Sequence, residues 1–264
     1  MCIRDRPPQD INACEVAGDS SLSNPDEIEL RIINGIQCTV GDSPVVELFM
    51  NISGIPIAVC TGTVVTPTAV VFAAHCLSEL GVTVDSVTIV PGGDEALAIT
   101  TTQIATHSDF DFTADGVPGN DDVAVAVTST EIPTRVARML EVNDLSIGEE
   151  VVIAGYGNQD SEMDPGFDSG NRDGSLRAGK MVVGLVSEEE VIANFTFADD
   201  RTPGENSTTC VGDSGGPLFA FRDGEWVLAA ITSYGGATCG PVDIAGFANI
   251  TDPAIQSFIE DFIP

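Results

Sequence analysis

The sequence predicts an all-β protein, and three observations carry that prediction. Short runs of β-branched and apolar residues recur along most of the chain, separated by turn residues. With 27 Gly and 15 Pro in 264 residues, the composition suits many short strands joined by tight turns. A helical period is clear only near the C-terminus. The length exceeds the usual single domain, but β-barrel proteins of this size often behave as one unit with ample chain to bury a core.

The runs fall into two sets. The first comprises 45–49, 57–60, 70–72, 82–84, 87–90 and 123–127, spaced as in a small barrel. The second comprises 150–157, 181–186, 191–197, 218–221, 226–233 and 246–250. Residues 128–148 read as the connection between the sets, and the polar, Gly-rich stretch 158–173 as an exposed loop. In the closing segment Asp252 can cap a helix and Pro253 can occupy its first turn. Ile255, Phe258, Ile259 and Phe262 then recur at i, i+3, i+4 and i+7, which predicts a helix over about 253–262.

The start of the chain reads differently. Residues 7 to about 30 are polar and acidic, with Pro7, Pro8 and Pro25, and are expected to form a flexible leader. Met1–Arg6 back-translates to match a transposon adapter used in sequencing libraries. It is read as an assembly scar that replaced the true start, and Cys2 is set aside with it. No signal peptide is visible, an absence attributed to the same scar.

Charge narrows the function classes. Acids outnumber bases 41 to 10, the formal charge is −31, and Lys180 is the only lysine. Such a surface repels nucleic acid and anionic membranes, so neither is an expected partner. The longest apolar candidate, between Ile57 and Ala74, is interrupted by Pro67 and falls short of a membrane span. No two cysteines or histidines sit at metal-ligand spacing, so neither metal nor cofactor is expected.

The chemistry concentrates in Cys210-Val211-Gly212-Asp213-Ser214-Gly215-Gly216-Pro217. The glycines on either side of Ser214 allow a turn too tight for side chains. That turn can aim the amides of Gly212 and Ser214 into one concavity, where an oxyanion would be stabilised. A serine is a weak nucleophile and needs a base with a group to orient it. The chain has only two histidines: His75 in Ala73-Ala74-His75-Cys76, and His107 in Thr106-His107-Ser108. Asp122 opens the apolar run Val123-Ala124-Val125-Ala126-Val127, with Asp121 beside it as the competing acid.

These three motifs, in the order His, Asp, Ser, resemble the trypsin/chymotrypsin-like serine peptidases, in the form of a bacterial-type secreted zymogen. The resemblance covers about residues 32–262. It implies two packed six-stranded antiparallel β-barrels, about 38–130 and 147–250, with the C-terminal helix packed on the second. It also implies a triad assembled between the barrels: His75 as general base, Asp122 orienting it, Ser214 as nucleophile, and the Gly212 and Ser214 amides as oxyanion hole. His107 matches a position that is structural in the family.

Residues 1–31 would then be a leader ending at Arg31-Ile32-Ile33-Asn34-Gly35, which resembles the activation site of the family. Cleavage after Arg31 would free the Ile32 amine to pair with Asp213 and so order the oxyanion loop. The family suggests disulfides Cys60–Cys76 and Cys210–Cys239. A cysteine at the position of Cys38 is common there but its usual partner is missing, and pairing with Cys14 is expected. That bond would tether the cleaved leader.

Specificity is where the chain departs from trypsin. The residue six before the nucleophile forms the pocket floor in the family, and here it is Thr208, followed by Thr209. Without a carboxylate there, a basic P1 side chain would be buried unpaired, so a medium to large apolar P1 is expected. An inward-pointing Asp243 would restore basic specificity. Ser233-Tyr234-Gly235 resembles the segment that pairs with the substrate strand; Gly235 leaves the pocket mouth open and Ala245 narrows its depth. Arg31 is accordingly expected to be cut by another, trypsin-like protease. The expected partners are polypeptide substrates, that activator and protein inhibitors, with the enzyme an extracellular monomer. The alternatives are a non-catalytic binding protein on the same scaffold and an esterase. Asn51, Asn194, Asn206 and Asn249 begin N-glycosylation sequons.

Overall fold

The structure, a computed structural model, describes residues 12–18, 20–21, 32, 35–78, 83–157, 174–194, 204, 207–235 and 244–263. The chain begins with helix α1 (Ala13–Ala17) and strands β1 (Ser20–Ser21) and β2 (Ile36–Thr39). The first half holds β3 (Val45–Ile52), β4 (Ile55–Thr66), β5 (Ala69–Phe72), β6 (Ser86–Pro91), β7 (Ile99–Thr100), β8 (Gln103–Thr106) and β9 (Ala124–Val127). The second holds β10 (Glu150–Gly155), β11 (Arg177–Val186), β12 (Glu190–Asn194), β13 (Pro217–Arg222), β14 (Glu225–Tyr234) and β15 (Ile244–Asn249), and helix α2 (Pro253–Glu260) closes the chain.

The second half is a closed barrel. Its strands run β11-β10-β13-β14-β15-β12, and β12 pairs back onto β11, so all six edges are satisfied. The first half differs from the expected second barrel. It is a seven-stranded antiparallel sheet in the order β7-β6-β3-β4-β5-β9-β8, curled into a half-barrel with no closing pair among the described residues. The β3–β4 hairpin turns on Ser53 and Gly54, at φ 53° and 76°, the left-handed pair that matches strand twist in a two-residue turn. Each half has its own core: Leu48, Met50, Phe72, Val87 and Ile89 in the first, Ile153, Met181, Leu218 and Phe247 in the second. The connection 128–148 is laced to both, through Ala137 N to the Val64 carbonyl and Leu140 N to the Leu228 carbonyl, each 2.8 Å.

The leader is not flexible where it is described. Asn12 caps α1, and Ala13, Cys14, Val16 and Ala17 are buried in a core shared with Val152, Tyr156 and Phe219. β1 adds to β2, which itself pairs with β11, so this segment extends the sheet of the second half. Cys14 and Cys38 form the expected disulfide, and Arg135 donates to the Val16 carbonyl at 2.5 Å. The average composition of the leader is polar, but five consecutive small residues around one cysteine bury enough surface to dock. The expected Cys60–Cys76 bond is present too. Cys210 is disulfide-bonded, and Cys239 lies outside the described residues.

Helix α2 starts as expected: Asp252 accepts from the amides of Ala254 and Ile255, and Ile255 and Ile259 are buried. It does not pack on the second barrel alone. Phe258 meets His107 of the first half edge to face at 5.2 Å, and Gln256 donates to the Leu140 and Glu141 carbonyls of the connection. Two sequons are closed to modification in the folded state, since the side-chain nitrogens of Asn51 and Asn249 are spent on buried backbone carbonyls.

The Cys14–Cys38 bond spans 24 residues, which corresponds to about 3 kcal/mol of unfolded-state entropy. The double variant Cys14→Ser, Cys38→Ser is expected to lose about that much stability in urea denaturation. A loss near zero would show that the docked residues alone hold the segment.

Candidate active site

The register of β5 on β9 brings the imidazole and the carboxylate together. The strands are antiparallel with Phe72 opposite Ala124, so β5 ends where β9 begins. His75 follows that end in a short 3-10 turn, Ala74–Leu77, and Asp122 precedes the other strand by two residues. Residues 70–74 are wholly buried and the Cys60–Cys76 bond holds the turn to β4, so the histidine loop has little freedom. Asp121 takes φ 58°, and a tight turn from the Val123 amide to the Asp121 carbonyl follows. Asp tolerates this left-handed conformation better than most residues.

Asp122 is fully buried and meets three donors. Its Oδ1 accepts from the His75 amide at 2.8 Å, and its Oδ2 from His75 Nδ1 at 2.7 Å and Ser233 Oγ at 2.5 Å. An ionised carboxylate can only accept, so Nδ1 carries the proton and Nε2 is left with a lone pair. Of the two adjacent acids, Asp122 is therefore the partner of His75. Burial pushes the Asp121 carboxyl up, opposed by His107 and reinforced by Asp252 and Asp109.

The Ser214 loop is wedged between the two halves. On one side Thr61 N donates to the Ser214 carbonyl at 2.9 Å; on the other Gly215 N donates to the Thr232 carbonyl at 2.7 Å. Gly215 sits at φ 82°, and a Cβ there would fall 2.4 Å from the Thr61 carbonyl and 2.7 Å from Ala73 N. Backbone thus rests on backbone two residues before His75, an approach only glycine permits. Gly212, at φ 96°, has its carbonyl fixed by Thr61 Oγ1 at 2.8 Å. Among the described residues the amides of Gly212 and Ser214 and the Ser214 hydroxyl take part in no hydrogen bond.

Asp213 is fully buried behind this loop. Gly157 N and Cys210 N each donate to it at 2.9 Å, and a Cβ on Gly155 or Gly157 would collide with its carboxylate. Burial pushes its pKa up to about 7 against the pull of those two amides, and no cation among the described residues meets it. Ile32 is buried in the second core with φ 33°, a left-handed backbone that is costly for a β-branched residue. Arg31 lies outside the described residues.

The remaining expected site residues are distributed along the second half. Thr208 and Thr209 are buried, and Thr208 Oγ1 has no hydrogen-bond partner. Thr209 Oγ1 lies 3.3 Å from where a Cβ on the exposed Gly235 would be, which puts the two segments side by side. Ala245 is buried in β15 opposite Ala193. Residues 236–243, including Asp243, lie outside the described residues. The Tyr234 ring packs on Gly246 and its hydroxyl donates to Glu190, which together with burial pushes that hydroxyl up. His107 is structural: it is buried, its amide bonds the Val123 carbonyl, and its ring meets Phe258.

The sequence reading assigned Ser233 to substrate binding and missed that its hydroxyl is bound to Asp122, 111 residues away. It also missed Thr61, whose backbone and hydroxyl hold the nucleophile loop. Neither side chain carries a local signal; only the meeting of the two halves gives them a role.

Residues 32–258 match the model of the Trypsin family. The chain is 26% identical to urokinase-type plasminogen activator of Gallus gallus over 265 aligned residues, 88% of this chain and 57% of that protein. It is 26% identical to vitamin K-dependent protein C of Mus musculus over 234 residues, 82% of this chain and 49% of that protein. It is 38% identical to spermosin of Halocynthia roretzi over 79 residues, 27% of this chain and 20% of that protein. The chain thus spans well under two thirds of each of these relatives, and all three are animal proteins that lend no support to a bacterial type. With a matching family model over most of its length and an all-β fold that carries the same motifs in order, the chain belongs to the family of trypsin-like serine proteases.

Proposed function

We propose that the chain is a secreted serine endopeptidase made as a zymogen. The observation that carries this reading is the buried Asp122 carboxylate fixing the Nδ1 proton of His75 beside the Ser214 loop. In this mechanism His75 Nε2 takes the Ser214 proton as Oγ attacks the peptide carbonyl. The amides of Gly212 and Ser214 receive the oxyanion, and His75 then protonates the leaving amine. Water repeats the cycle on the acyl-enzyme. The Ser214–imidazole hydrogen bond closes as substrate arrives, as apo active sites often require. The two disulfides support an oxidising, extracellular setting. The uncharged Thr208 supports an apolar P1 residue in place of Lys or Arg.

Cleavage after Arg31 would act on two stresses at once. It removes the peptide bond that defines the positive φ of Ile32, and it creates an ammonium for the buried Asp213. Ordering of the Asp213 loop then completes the oxyanion hole.

Three measurements test this reading. After limited trypsin treatment, a fluorophosphonate probe should label the wild-type chain and leave Ser214→Ala unlabelled; equal labelling of both, or of neither, overturns it. Ser233→Ala removes one charge-assisted bond to Asp122 and is expected to lower kcat about tenfold with little change in KM.

The third concerns pH. Because the Asp213 pKa is about 7 in the folded chain against an ordinary 3.8, the folded state holds an extra proton between those values. Stability of the uncleaved chain therefore falls as pH rises through that window, by about 4 kcal/mol in all. In the cleaved form the ammonium lowers the pKa, and this part of the loss disappears. Urea denaturation of Ser214→Ala at pH 5 and pH 8, before and after cleavage, should show the steeper loss only before; identical slopes would refute the pairing.

A further inference from the structure

Beside Ser233 and Tyr234 lies a groove of about 210 Å³ that the proposed chemistry does not use. One wall is the segment 113–121 and the other is Glu189–Glu190, with Asn120 Nδ2 reaching Glu189 Oε2 at 2.5 Å between them. The floor is Tyr234, Phe247 and Ala248. Gly246 covers one side of the Tyr234 ring, and the half-buried ring borders the groove. Asp121, Glu189 and Glu190 line it, and among the described residues no lysine or arginine pairs with any of the three. The hydroxyl of Tyr234 is already given to Glu190, so the ring offers its face and not its polar tip. A concave site with an aromatic floor and three uncompensated carboxylates suits an extended cation with an aliphatic stem. The groove opens one residue from Ser233, hence next to Asp122 and His75.

We infer that this groove binds a lysine or arginine side chain of the substrate, two to four residues before the cleaved bond. The inference rests on the protease reading and adds to it a second specificity element that is electrostatic, where the P1 pocket is apolar. The cation exchanges water for the Tyr234 face and the carboxylates of Asp121, Glu189 and Glu190 without any covalent step.

The test uses the full chain after trypsin activation and fluorogenic peptides that differ only by Lys or Gln at each of those positions. At one position the Lys peptide should show kcat/KM about tenfold above the Gln peptide, and the ratio should shrink as salt screens the charges. Asp121→Asn, which keeps a residue tolerant of the left-handed turn, and Glu190→Gln, which keeps an acceptor for Tyr234, should each lower that ratio. The ratio is internal to each variant, so a general loss of folding or activity does not mimic the result. Ratios near one at every position in the wild type, or unchanged ratios in both variants, overturn the inference. Anisotropy of the labelled Lys peptide on Ser214→Ala decides it independently of turnover. Tight binding that Glu190→Gln weakens supports the groove even if no peptide is cleaved; equal affinity for the Lys and Gln peptides rejects it even if the enzyme is active.

Discussion

A carboxylate with no access to water is tolerable only if its oxygens are met by donors, and Asp122 meets that condition with three. Two come from the histidine loop of the first half and one from β14 of the second. The same bonds that make its burial affordable also set the His75 tautomer and hold the two halves in register. Replacing any one donor would leave a buried lone pair beside the imidazole, so folding and site geometry are constrained by one set of contacts.

Asp213 is the contrasting case. It is as deeply buried, but its described partners are two backbone amides, and its pKa rises where Asp122 is held by a charge-assisted bond to a ring. One acid is satisfied in the uncleaved chain and the other awaits a charge. Together with the left-handed Ile32, this places the stored stress of the precursor around the loop that carries the nucleophile. Thr61 links these regions: its amide holds Ser214, while its hydroxyl donates to Gly212 and accepts from Tyr156.

Much of the fold could be read from the sequence, and the limits have physical reasons. The β-type runs located both halves, and the i, i+3, i+4 pattern with Asp252 located α2 within about two residues of its end. The choice of Asp122 over Asp121 followed from the alternation that starts at Val123, and the register of β5 on β9 explains it. Averaged composition failed for the leader, because a short buried turn anchored by Cys14 is invisible in a window dominated by acids and prolines. Whether the first sheet closes depends on pairing between distant strands, which alternation alone does not encode. Ser233 and the groove beside Tyr234 arise only where segments more than 40 residues apart converge, as Glu190 and Tyr234 do at a separation of 44.

The docked start of the chain has a consequence for how the protein is handled. β1 occupies the outer edge of β2, and Cys14 occupies the thiol of Cys38. A recombinant form begun at Ile32 would present a bare strand edge next to an orphan cysteine. Those are the two ingredients for neighbouring molecules to zip together and lock as covalent dimers, so the short segment ahead of the cleavage site acts as a built-in guard against self-association.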